Sequence, residues 1–575
     1  MRAKCVCLTG MLCLIFASSI QADVPKGKGG TYPQRRLLGI FVSQYLYLPT
    51  VSYESETAGN ARVDFGAMLT FLGRTLRIPE SQVYELSDSA LGKKRIAPTR
   101  ETIEQVITQF LDGSGSADSD ILLFVGHEVE LEGEVYLAPL DGDVKNPQTL
   151  IPLSWLFKRL EACPARQKLL IVDLNRFDPV RGMGQASPMS AKIEAALKQP
   201  PTGVQVWSAC SAGQYSLKLR EARKYEGRPL QGGLFQSLLP RTYMPGETPD
   251  SSSDGIVPLE AMAQRVNSEL ALAIPAVGLG RFKQTSFTAG SVAAPGSNGE
   301  RASRSRTALS YPAWPADAVP IEMTQSILKE IEASTAHDLP GDDVVMDSVI
   351  ALLPFRKSAM KPYGADAVTD EQIDAHPSDY PIRSAIRRAS ASLRSHAKDD
   401  GLRLISTISS AELNAPKSQA KINLTRLQRA PARRLQVLEE ILADLEKASE
   451  ERGKEKSPRW QAQFDLFRAR MLTQYAHIYE YNAVIGMVRK DALPDLDEKN
   501  GDKGWRLVNQ DTMVSGAEAK ESARSASKLY AKIIHDHPDT PWAILARREK
   551  AQPLGLTWLP TTDVTPIAAP PKKGR

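Results

Sequence analysis

Four short apolar runs, each separated from the next by helix-length stretches, constrain this chain more than any other feature. They are Leu37-Leu38-Gly39-Ile40-Phe41-Val42, Ile121-Leu122-Leu123-Phe124-Val125, Leu169-Leu170-Ile171-Val172 and Val204-Gln205-Val206-Trp207. A strand that is apolar at nearly every position is buried on both faces, which is the signature of parallel strands covered by helices. The intervening segments fit that role. Val63 to Leu76 places Phe65, Leu69, Leu72 and Leu76 on one helical face. Thr99 is an N-cap for a helix running to Phe110. Leu153 to Leu160, Ile193 to Leu197, Gly232 to Leu239 and Leu259 to Leu272 read as further helices. The alternation predicts an α/β unit over residues 31–285 built on a doubly wound, mostly parallel sheet. In such sheets ligands gather beyond the carboxyl ends of the strands. The candidates are therefore the residues after each run: Gly126-His127-Glu128, Asp173-Leu174-Asn175 and Ser208-Ala209-Cys210.

The rest of the 575 residues divides by composition. Residues 1–22 read as a secretory leader: Arg2 and Lys4 open it, an apolar stretch runs from Leu8 to Ile20, and Ala22 offers a small residue at the cut. That stretch is short of the roughly 20 residues a spanning helix needs. The mature chain is expected to be exported to the periplasm or beyond, with no membrane span. Cys5, Cys7 and Cys13 leave with the leader, so Cys163 and Cys210 remain and form no disulfide framework. They are expected at opposite edges of the sheet, too far apart to bridge. Loss of Arg2 and Lys4 takes the net charge from +5 to +3, which gives no footprint for nucleic acid or anionic lipid.

Residues 286–320 are rich in Gly, Ser, Ala and Pro and read as a linker. From 321 to 560 the helical period takes over, predicting an all-α unit. Leu435, Leu438, Leu442 and Leu445 form one stripe, and Trp460, Phe464, Phe467, Met471, Tyr475 and Ile478 form another. Ala519, Ala523, Ala526, Tyr530 and Ile533 share a third face. Stripes this wide need partner helices, so a bundle or helical solenoid is expected. Residues 561–575 read as a flexible tail. His535-Asp536-His537 sits at a helix end with no further ligand set around it, and reads as a helix terminus rather than a metal pair. With no phosphate-binding glycine loop and no zinc-type cysteine pairs, no cofactor is expected.

His127 is the only histidine between residues 31 and 285. Two readings of it stand: an acid/base residue at the rim of the sheet, or a capping histidine without chemistry. The run Ile121 to His127 resembles the strand of the caspase and metacaspase family that ends in its catalytic histidine. Glu132 to Asp141, Ile151 to Leu156, Leu169 to Asp173, Trp207 to Gln214, Gly232 to Phe235 and Asp254 to Leu259 are similar to later family segments, in the family's order. That resemblance implies a cysteine–histidine dyad, in which a thiolate attacks the carbonyl and histidine protonates the leaving amine. It puts His127 at the acid/base position. It also puts Asn175, two residues after Asp173, where the nucleophilic cysteine belongs. An amide has no thiolate form and makes no acyl-enzyme. Glu128 stands where the family has glycine, beside the expected oxyanion site, where a carboxylate opposes developing negative charge. Asp173 matches the aspartate that helps metacaspases bind a basic substrate residue; the other reading is a strand-end cap. Cys210 is either a packing residue or a relocated nucleophile. The segment Ala531 to Pro538 followed by Thr540-Pro541-Trp542-Ala543 resembles a tetratricopeptide-type helix pair.

These readings predict an inactive caspase-like protein that binds a protein or peptide outside the cytoplasm. Two alternatives stand beside it: a working cysteine peptidase using His127 with Cys210, and a structural envelope-associated protein.

Overall fold

The structure is a computed structural model that describes residues 34–48, 65–90, 95–177, 186–241, 256–280, 282–294, 309–334, 349–365, 367–397, 405, 407–414, 417–490, 492–497 and 502–561. The expected leader (1–22) and the tail beyond Thr561 lie outside these residues.

The four apolar runs become strands β1 (Arg35–Phe41), β3 (Ser119–Leu131), β6 (Gln167–Phe177) and β8 (Val204–Ser208), joined by a further parallel strand β2 (Val83–Ser87). The main sheet order is β11-β8-β6-β3-β1-β2, where β11 is Phe287–Gly290. β1, β2, β3, β6 and β8 are parallel, and β11 closes the edge antiparallel to β8. Helices α1 (Phe65–Thr75), α2 (Arg100–Asp112), α3 (Leu153–Ala162) and α4 (Ala191–Leu197) supply the crossovers. Thr99 caps α2 through its side chain, as its sequence position implies. Ile121 to Val125 and Leu169 to Val172 are at most 1% exposed, which is what strands covered on both faces require. The fold class read from the sequence is thus present as a mixed, mostly parallel sheet with flanking helices.

β11 falls inside the stretch expected to be a linker. It was hidden because only four residues pair, amid Gly- and Ala-rich sequence. Gly290 ends it at φ 79°, where an added Cβ would lie 2.0 Å from the Val204 carbonyl oxygen, so glycine is obligatory there. Further on, Tyr311 accepts a hydrogen bond from the Glu85 N–H at 3.0 Å. The expected linker therefore packs against the sheet at two places.

Beyond residue 320 the long helices are Ile321–Ser334, Pro381–Ala397, Lys417–Ser449, Pro458–Arg489, Ala517–Asp536 and Pro541–Ala551. Pro458–Arg489 is the axis, about 48 Å long at 1.5 Å per residue. It has buried residues on every face, because neighbours surround it. Phe464, Phe467, Met471 and Tyr475 pack with Ile382, Ile386, Leu438 and Leu445. The expectation of an all-α unit needs one correction: β12 (Thr407–Ser409), β13 (Gly504–Gln510) and β14 (Gly555–Thr561) form an antiparallel sheet. Its signal was two-residue alternation, with Leu556 and Trp558 turned inward onto Tyr481 and Val484. Thr561, read as the start of the tail, closes β14. Trp542, Leu545 and Ala546 join an apolar core continuous with that of the α/β unit. No helix among the described residues is long and apolar enough to cross a membrane.

Candidate functional site

The chain winds outward from β1 to β2, then returns to β3 on the other side of β1. The winding reverses between β1 and β3, the place where open α/β sheets form their ligand crevice. His127 lies on β3 at this point.

The sequence placed His127, Glu128, Asp173 and Asn175 just past the strand ends. In the structure they lie within the strands. β3 continues to Leu131 because Glu132 and Gly133, at φ 47° and 91°, make a tight turn into β4 (Glu134–Leu137), which pairs back on it. Both positions have the positive φ that a two-residue hairpin demands. β6 follows β3 in parallel register from Ser119↔Gln167 to Glu128↔Arg176, so His127 is paired directly with Asn175. Paired residues of neighbouring strands share a face, and side chains alternate along a strand. His127, Asn175 and Asp173 therefore share one face, and Glu128 projects from the other.

His127 is only 5% exposed. Its Nδ1 lies 2.8 Å from the backbone carbonyl oxygen of Asn175. A carbonyl only accepts, so Nδ1 carries the hydrogen of this bond. The nitrogen nearest residue 175 is thus engaged by that residue's main chain. Tyr45, fully buried after β1, lies over the imidazole with ring centroids 4.7 Å apart. Its hydroxyl oxygen accepts from the His127 N–H at 2.7 Å. Gly126 permits this approach: a Cβ there would sit 2.6 Å from the Tyr45 hydroxyl.

Asp88 anchors the covering segment. Its carboxylate accepts from the backbone N–H groups of Ser43 and Gln44 at 3.0 and 2.8 Å. Burial pushes this carboxyl up to about 6, against the opposing effect of those hydrogen bonds.

Asp173 is fully buried, and both its oxygens have donors from within the chain: the Ser216 hydroxyl on one and Gln236 Nε2, at 2.8 Å, on the other. Lys218, on β9 (Lys218–Tyr225), is pushed down to about 8 by burial, with the Asp173 charge opposing that shift. Asp173 thus ends in an internal polar cluster rather than at a strand-end cap.

Cys210 is 1% exposed and makes no disulfide. Burial raises its thiol well above the ordinary range, and the carboxylates of Glu128, Asp173 and Glu194 raise it further. A thiol kept protonated first by burial and further by nearby carboxylates is the reverse of the cation-paired thiolate that nucleophilic catalysis uses. Cys163 lies elsewhere, with Sγ 3.5 Å from Asp120, and is pushed up to about 12. Asn175 Nδ2 is buried and finds no acceptor among the described residues.

The structure thus joins His127 to Asn175, sets Asp173 one alternation back on the same face, and surrounds Cys210 with acidic groups. Sequence reasoning missed Tyr45 and Asp88, whose roles depend on a segment folding back over the sheet. It missed Ser216, Lys218 and Gln236 as well, although Gln236 directly follows the Gly232-Gly233-Leu234-Phe235 segment. At the other candidate pair, His535 is exposed beside Asp536, while His537 is buried against the Tyr363 hydroxyl at 2.9 Å. No group of residues that could hold a metal occurs among the described residues.

No protein-family model matches this chain, and no curated protein matches it. Among solved structures it is similar to the Drosophila initiator caspase Dronc, at 12% identity and a TM-score of 0.23. The match covers 44% of this chain and 79% of that one. No residue role is transferred from it.

Proposed function

We propose that this protein is a non-catalytic, caspase-like binding protein, which uses its α/β and helical units to engage a protein or peptide outside the cytoplasm. One observation carries the reading: the residue paired with His127 is Asn175, and the imidazole nitrogen facing it is bonded to the Asn175 carbonyl at 2.8 Å. A dyad needs a proton that histidine can take from its partner, and an amide offers none. Burial under Tyr45 points the same way, as does the internal satisfaction of Asp173 by Ser216 and Gln236. The extracytoplasmic setting rests on the leader-like residues 1–22.

The test is peptide-library turnover by the parent chain, with His127→Ala and Cys210→Ala in parallel. Thiol alkylation mapped by mass spectrometry accompanies it. The parent is expected to be inactive, with Cys163 and Cys210 unlabelled in the native state. Turnover lost in both variants, together with rapid native labelling of Cys210, overturns the proposal and makes the chain a peptidase with a relocated nucleophile.

A further inference from the structure

The outer edge of the sheet carries a cleft separate from His127. β2 is the last strand, paired on one side with β1. An open strand edge invites pairing with other chains, and folds usually cover it. Here the cover is partial. Tyr311 touches the edge through its hydrogen bond from Glu85 N–H. The Tyr311-Pro312-Ala313-Trp314-Pro315 segment then stands off and encloses a cleft of about 1030 Å³. That is the size of a large ligand pocket. Leu69, Val83, Ile321, Leu352 and Pro354 give it apolar walls.

The polar lining is one-sided. Glu80 and Glu101 are exposed carboxylates at this cleft, and neither forms an ion pair among the described residues. Glu85 adds a third acid. Among the described residues the lining holds one cation, Arg95, which directs its Nε to the backbone carbonyl of Asp88. Tyr84, Tyr311 and Trp314 add aromatic surface. Trp314 is 38% exposed, and its indole N–H is spent on the Val319 carbonyl at 3.1 Å, so what it offers a ligand is the ring face. Aromatic faces and the exposed carboxylates of Glu80 and Glu101 both favour cations. The five residues of β2 span about 17 Å, which suits an extended segment.

The geometry points to this cleft as a docking site for an extended, lysine- or arginine-bearing segment of a protein partner, laid along β2 with its cations at Glu80 and Glu101. This goes beyond the non-catalytic reading and does not depend on it, because the cleft lies at the β2 edge and uses neither His127 nor Asn175.

The test uses the full chain and a library of labelled eight-residue peptides that alternate Val or Ile with Lys or Arg, beside a matched Glu series, read by fluorescence anisotropy. Variants are the double Glu80→Gln/Glu101→Gln and, separately, Trp314→Ala. All three residues are exposed, and thermal melting checks that each variant folds. Binding is expected for the cationic series alone, weakened at least tenfold by the double variant, reduced by Trp314→Ala, and unchanged by His127→Ala. Four results overturn the proposal: no library member binds, the Glu series binds equally, affinity survives the double variant, or a free polyamine binds as tightly as the peptides. Peptide turnover by the parent would sink the non-catalytic reading and leave this one standing.

Discussion

The packing of Tyr45 on Gly126 gives a test in which two substitutions must compensate each other. Gly126→Ala places a Cβ 2.6 Å from the Tyr45 hydroxyl and 3.1 Å from Phe124 Cε1. Overpacking of this kind costs about 1–3 kcal/mol. It also drives the hydroxyl off the His127 N–H, which it now meets at 2.7 Å. Tyr45→Phe keeps the ring over the imidazole but removes the acceptor, leaving a buried N–H without its partner, at about 1–3 kcal/mol. In the double variant the clash with the hydroxyl is absent, because the hydroxyl is gone, and the hydrogen bond is lost only once. The double variant is therefore expected to cost about 1–2 kcal/mol less than the sum of the singles, a coupling typical of residues in contact. Hydrogen exchange of β3 amides in the full chain is the suitable assay, since it reads local opening without assuming that a multidomain chain unfolds in one step. The coupling then appears as roughly 5- to 30-fold more protection than additivity allows. Additive losses would mean that Tyr45 does not rest on Gly126, and the account of a covered His127 would fail with it.

Two further outcomes follow from other buried carboxylates. Asp120, 1% exposed, is pushed up to about 6 by burial, with Arg36 and Ser114 opposing the shift. A carboxyl raised in the folded state contributes stability that is full below its ordinary value near 4 and lost as pH rises through about 6. Asp120→Asn removes that loss, so its stability relative to the parent should improve by about 3 kcal/mol between pH 4 and pH 7; a difference curve that is flat over this window would refute the shift. Glu480, fully buried, accepts from the N–H groups of Val514, Ser515 and Leu556 at 2.8, 2.8 and 3.2 Å. Glu480→Gln turns an amide donor toward at least one of those N–H groups, at a cost of about 2–4 kcal/mol. Lost protection should be confined to β14 and residues 514–517, and equal loss in β3 would show that the clamp is not local.

What was legible in the sequence follows from the range of each signal. The runs at Ile121 and Leu169 announced buried parallel strands because burial on both faces removes polar residues from every position. The stripe from Trp460 to Ile478 announced its helix for the same local reason. That His127 and Asn175 belong to one site was expected only from the resemblance to the caspase family, which sets an acid/base residue beside a nucleophile; their direct pairing across β3 and β6 had no local sign. Three features stayed hidden. The extension of β3 past His127 depends on the Glu132-Gly133 turn, whose positive φ values leave only the faint trace of one glycine. The small sheet of β12, β13 and β14 joins segments about 50 to 100 residues apart, each short enough to pass for a connection between helices. The cover over His127 comes from residues 43–47, held by Asp88, and nothing local marks a strand exit that turns back over its own sheet.

The environment of His127 also gives it a structural part in the fold. Its Nδ1 joins β3 to β6 through the Asn175 carbonyl, its main-chain N–H holds the Tyr45 hydroxyl, and its ring fills the space beneath Tyr45. Replacing it by alanine would remove the ring from under Tyr45 and leave the Asn175 carbonyl without that donor, and both changes cost stability. Asn175 stands in the opposite position: its backbone is used while its side-chain Nδ2 is buried without an acceptor among the described residues. An unmet buried donor is a cost rather than a structural gain. Packing and hydrogen bonding thus hold His127 in place, while the Asn175 side chain adds no hydrogen bond from Nδ2 among the described residues. On the proposed non-catalytic reading, the surface to probe is the acidic, aromatic cleft along β2 rather than the strand ends at His127.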